Sequence, residues 1–169
     1  MNKQKGFSLI ELLIVVAIIL IIAAIAIPNL LRARIAANES SAVSSLRTIN
    51  TAEVSYTTSY PNLGYSAALA NLGPGAATCP AAGPTAATAC LIDNVLAGGA
   101  KSGYQITEAG GAANAQGIVV TYETEAVPQA YNQSGVRGFC SVEDAVIRWE
   151  ANGTNAMGAA ACPGLTALQ

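Results

Sequence analysis

The chain has no histidine, and only 11% of its 169 residues are charged. Lacking histidine, it lacks the commonest general base and the commonest metal ligand, which weakens most hydrolase and metalloenzyme readings. Lysines and arginines number 8 against 10 aspartates and glutamates, a net charge of −2, and no basic run follows Arg34. A nucleic-acid footprint needs a basic face, so no nucleic-acid partner is expected. There are four cysteines, Cys79, Cys90, Cys140 and Cys162, with no C-x-x-C spacing among them. Zinc is therefore not expected, and disulfides are the better reading if the domain is exported. Three pairings are open; the shortest loops join Cys79 to Cys90 and Cys140 to Cys162. Nothing in this composition calls for a metal or a cofactor.

What the sequence does have is one long apolar run. Phe7 to Ile27 is 21 residues, and as a helix it spans about 30 Å, the thickness of a bilayer's hydrocarbon core. Lys3 and Lys5 precede it, which places the start in the cytoplasm and the bulk of the chain outside. A secretory signal peptide is the rival reading, because Ala24-Ile25-Ala26 fits a small-x-small cleavage site, and cleavage after Ala26 would release a secreted binding module. Against it, the run is long for a signal peptide and Glu11 interrupts it near its start. A buried core helix, apolar all round, would need a larger protein around it. Glu11 is the awkward residue, since a charge at the centre of a bilayer helix costs roughly 2.5–3.5 kcal/mol and is normally paired.

The stretch Lys5-Gly6-Phe7-Ser8-Leu9-Ile10-Glu11-Leu12-Leu13 resembles the N-terminal signature of type IV prepilins and of the related pseudopilins of type II secretion. The resemblance covers about the first thirty residues. It implies that a prepilin peptidase cuts between Gly6 and Phe7, removes the leader 1–6 and methylates the new amine of Phe7. It further implies a single-pass inner-membrane precursor with its head outside the cytoplasm, extracted by an inner-membrane assembly platform and ATPase into an extracellular filament. Pro28 stands where pilins commonly carry a helix-weakening proline. Cleavage at Gly6 keeps the apolar helix and creates a cationic amine on Phe7. In a filament, a neighbouring subunit's amine can pair with Glu11, and the attraction grows as the surroundings become drier. Such a pair sets register. The implied fold is α+β, a long N-terminal α-helix packed on a four-stranded antiparallel sheet.

Beyond Pro28 an apolar stripe continues through Leu31, Ile35, Ala42, Leu46, Ile49 and Tyr56, with Arg32, Arg34, Glu39, Arg47 and Glu53 mostly on other faces. This predicts a near-continuous helix from about Phe7 to Tyr60, its membrane and filament-core half at 7–27 and its amphipathic half at 28–60. Pro28 either kinks that helix or starts a second one. Tyr60-Pro61 ends it. Residues 61–101 read as a variable loop, rich in Ala, Gly and Pro with little to pack, and with a short helix at Ile92–Leu96. Four strands are expected in 102–150, at Gly103–Thr107, Gly117–Glu123, Gly138–Val142 and Ala145–Glu150. Residues 151–169 form a closing loop, and the resemblance implies a disulfide there.

Other chemistry finds little support. Gly98-Gly99-Ala100-Lys101-Ser102-Gly103 lacks the glycine that a phosphate loop places directly before its lysine, and reads as a turn. Glu143-Asp144 could ligate calcium but suits a hairpin turn. Glu123 and Glu125 share a strand face as exposed carboxylates without a cleft, and Trp149 suits sheet packing. No catalytic set emerges. Aromatics at 5% give no support to a conductive filament. The expectation is a structural pilin, with a pseudopilin as the alternative within the same family.

Overall fold

The computed structural model describes residues 8–76, 78–153 and 161–168. The chain divides into two compact units, residues 1–34 and 35–169. The first helix, α1, spans Leu9–Ser59 and contains Pro28. The helix therefore continues at Pro28 and does not restart. A proline withholds one backbone donor and crowds the preceding turn, but apolar and alanine-rich helix formers stand on both sides of it. The chain leaves the helix at Tyr60-Pro61, as the restriction before a proline requires.

In the second unit α1 buries Ala42, Val43, Leu46, Ile49, Ala52 and Tyr56. Glu39 and Glu53 lie on that same face and are buried too, where the charges were expected mostly on other faces. Their spacing explains it: 39, 42, 46, 49, 53 and 56 step by three or four, which is one side of a helix. Against this face lies an antiparallel sheet of, among the described residues, six strands in chain order, not four. They are β1 (Ala100–Lys101), β2 (Tyr104–Gly110), β3 (Tyr122–Pro128), β4 (Gly138–Val142), β5 (Arg148–Glu150) and β6 (Thr166–Ala167). Tyr104 and Ile106 of β2, Ala126 of β3 and Phe139 of β4 meet the helix stripe in the core.

Two strand assignments change. The run 117–121 is not in the sheet: Val119 takes a hydrogen bond from Tyr65 N–H and gives one to Leu63 C=O, so its backbone is tied to the segment after α1. Gly64 makes that approach possible, with φ of +81° and space so tight that a Cβ would lie 2.0 Å from the Val119 oxygen. β3 instead runs on to Pro128, which pairs with Tyr104. The loop 61–101 also has more to pack than its composition suggests. A helical turn α2 (Leu69–Leu72) buries both leucines, and Ala89, Ile92 and Leu96 join the core. The short helix α3 lies at Asn94–Ala97, later than expected, because Asp93 caps it by accepting the Leu96 N–H at 2.8 Å.

Disulfides join Cys79 to Cys90 and Cys140 to Cys162. The second fastens a 3-10 turn, Cys162–Gly164, to the sheet face away from the helix, where Cys140, Val142, Cys162 and Leu165 pack together. Trp149 is partly buried against the core, and the Arg137 guanidinium lies 5.6 Å from its ring and 5.5 Å from that of Phe139. Arg137 also pairs with Glu39, its Nη2 donating at 2.7 Å and its Nε at 2.9 Å to Oε2. Glu39 Oε1 accepts the backbone N–H groups of Val136 and Arg137, each at 3.1 Å. Burial pushes the Glu39 carboxyl up, but the Arg137 side chain and these two amides outweigh it and hold the group below the usual carboxylate range.

Candidate functional site

The candidate site is the start of α1. From Ser8 to Pro28 the only ionisable residue is Glu11. Its carboxylate has a local role: Oε2 accepts the backbone N–H of Ser8 at 3.0 Å. Ser8 C=O in turn accepts the first helical N–H, from Leu12, at 3.3 Å. Ser8 thus stands at the N-cap and Glu11 three residues on, one arm of a capping box. A carboxylate here also complements the positive end of the helix macrodipole. The signal for this contact in the sequence is the S-x-x-E spacing of Ser8 and Glu11.

Around Glu11 the helix surface is apolar and uncovered. Leu9 is 79% exposed, Leu13 61% and Leu20 64%. Leu9, Leu12, Leu13, Val16, Ala17 and Leu20 line one continuous apolar strip. Among the described residues, α1 is the one helix long and apolar enough to cross a membrane by length and composition, and none of its most apolar stretch is buried. A folded soluble monomer rarely exposes so much contiguous apolar surface, so this surface belongs in lipid or against other chains. Gly6 and Phe7 lie outside the described residues. By covalent connection alone, an amine created on Phe7 would belong to the residue directly before the Ser8 N–H that Glu11 holds.

The family model described as "Prokaryotic N-terminal methylation motif" matches residues 1–27. The chain carries the prepilin-type methylation motif. That motif includes the Gly6-Phe7 junction and Glu11. The chain is also 67% identical over 39 residues to the type IV wide pilus major component PilA4 of Thermus thermophilus, a match covering 23% of this chain and 30% of that one. It is 48% identical over 54 residues to the type IV major pilin protein PilA of Myxococcus xanthus, covering 32% of this chain and 24% of that one. The chain thus spans less than a third of the length of these relatives in the matches. No solved structure matches significantly.

Pro28 lies within α1, and the four cysteines belong to the second unit. Asp144 forms an ion pair with Arg148 beside the β4–β5 turn. The Arg148 guanidinium, ahead of the desolvation that opposes it, holds the Asp144 carboxyl below its ordinary range. Glu125 is buried, where an exposed carboxylate was expected. Among the described residues, no group of three or more His, Cys, Asp or Glu is arranged to hold a metal ion.

Proposed function

We propose that the chain is a structural subunit of a type IV pilus filament and not an enzyme. The observation that carries this is the methylation motif set on an uncovered apolar helix with a single carboxylate near its start. A prepilin peptidase cuts between Gly6 and Phe7 and methylates the Phe7 amine. The precursor waits in the inner membrane with its head outside the cytoplasm, and an assembly platform with its ATPase moves it into an extracellular filament. Both relatives are named as major pilus components, which favours a pilus subunit over a secretion pseudopilin.

Glu11 links capping to assembly. Within one subunit it closes the first turn by accepting the Ser8 amide. In the filament its second carboxylate oxygen remains to accept a neighbour's Phe7 amine, so one side chain both orders its own helix start and sets the register of the next subunit. The test is sheared-filament yield from cells carrying Glu11→Ala with membrane levels measured in parallel. Normal membrane insertion with filaments lost or disordered is expected; normal yield and order would contradict the reading.

A further inference from the structure

Glu53 of α1 and Glu108 of β2 meet at the helix–sheet interface with Ser66 between them. Glu53 is 0% exposed, Glu108 8% and Ser66 0%. Ser66 donates its backbone N–H to Glu53 Oε2 at 2.9 Å, and its Oγ lies 3.1 Å from both Glu108 oxygens. The same Oγ is 3.2 Å from the Ala68 carbonyl oxygen. A hydroxyl carries one proton and satisfies one acceptor at a time, so Ser66 cannot serve the whole cluster. Glu53 Oε1 is buried with no donor among the described residues.

The neighbouring side chains do not fill that gap. The titratable groups that feel the pair are Tyr56 from α1 and Tyr122 from β3. The Tyr56 hydroxyl donates to the Ala86 carbonyl and the Tyr122 hydroxyl to Asn50 Oδ1. Among the described residues, no lysine or arginine acts on either carboxyl. Two ionised carboxylates left together in a dry site would repel each other and leave an acceptor unsatisfied, whereas one added proton removes a charge and supplies the missing donor.

We propose that Glu53 and Glu108 share a single proton and, with Ser66, form a proton-binding latch that fastens the segment after α1 to both helix and sheet. The proton resides on Glu108 and is donated to Glu53. Burial, then the Glu53 charge, pushes the Glu108 carboxyl from an ordinary 4.5 up to about 8, and burial also raises Glu53. The latch spans a short stretch: Tyr65 is bonded to Val119, Ser66 to both carboxyls, and Ala68 is bridged to Ala109. Loss of the proton therefore loosens a segment that bonds to both α1 and β2 directly ahead of α2. The folded chain keeps a proton that the unfolded chain releases, so this contribution to stability is complete below about pH 4.5, falls as pH rises to about 8, and is level above that.

The test uses the full-length protein in detergent micelles. Infrared spectra titrated between about pH 6 and about pH 10 should show a protonated carboxylic-acid carbonyl band that disappears near pH 8, and Glu108→Gln should lack it. Thermal midpoints should fall between about pH 5 and about pH 8 in the wild type, with that slope lost in Glu108→Gln. In Glu53→Gln, which removes the charge beside Glu108, the band should persist but titrate at lower pH. A wild type without the band at neutral pH overturns the proposal, and so does a stoichiometric metal ion retained after exhaustive buffer exchange. The wild-type spectrum decides the matter even if a variant fails to fold.

Discussion

On the proposed function Glu11 would answer two demands through one carboxylate, the cap that accepts the Ser8 amide and the register of the next subunit, and substitution separates them. Glutamine keeps an oxygen for the Ser8 amide and loses the charge; alanine loses both. Loss of a cap costs about 0.5–2 kcal/mol, whereas breaking a desolvated ion pair costs roughly 3–5 kcal/mol, more than a hundredfold in an association equilibrium. Glu11→Gln is therefore expected to retain a well-formed helix start, checked by amide exchange at Ser8 and Leu12, yet to lose filament yield nearly as severely as Glu11→Ala. Yield close to wild type would reduce Glu11 to a cap. In the head, Glu39 anchors the β3–β4 connection to α1 through Arg137. Glu39→Ala leaves that guanidinium and two amides short of an acceptor and should destabilise the head by about 2 kcal/mol or more by denaturant unfolding. Because the Glu39 carboxyl is held low, its stabilisation is present above the ordinary carboxylate range and lost as pH falls through its lowered value.

At the scale of elements, α1 has apolar residues with opposite fates. Leu46, wholly buried, should cost about 2–5 kcal/mol of head stability on change to alanine. Leu20, exposed, should cost the head nothing while weakening membrane or filament association; equal effects in a denaturation series would contradict that division. The helix was legible in sequence because an apolar run and a three-four stripe are local signals. The burial of Glu39 and Glu53 was not, since each is stabilised by partners distant in the chain, Arg137 and Ser66. The run Ile118-Val119-Val120 has strong strand character but found its partner at Gly64, a pairing no local pattern announces. β3 was hidden for the converse reason: Glu123-Thr124-Glu125 has few apolar residues, and its order comes from pairing between β2 and β4. The leucines of α2 were obscured by the glycines and alanines around them. At the candidate site, the motif match over residues 1–27 falls on the local pattern around Gly6, Phe7 and Glu11, and the capping contact has its signal in the S-x-x-E spacing.

Taken whole, the chain joins an apolar N-terminal helix surface to a head closed by two disulfides. The Cys140–Cys162 bridge joins residues at a sequence separation of 22, which on loop-entropy grounds contributes about 3 kcal/mol. Replacing both cysteines with serine should lower head stability by about that amount, read from denaturant midpoints without reductant, and leave membrane insertion of the precursor intact. The central claim is that the apolar helix is retained, trimmed at Gly6 and built into a filament. Intact mass and the N-terminal peptide, taken from membranes and from sheared surface filaments, test it most directly. A mature chain beginning at Phe7 and about 14 Da heavier by one methyl group, recovered from the filaments, is the predicted result. A mature chain beginning at Ile27, with Glu11 removed and no filament form, would contradict it.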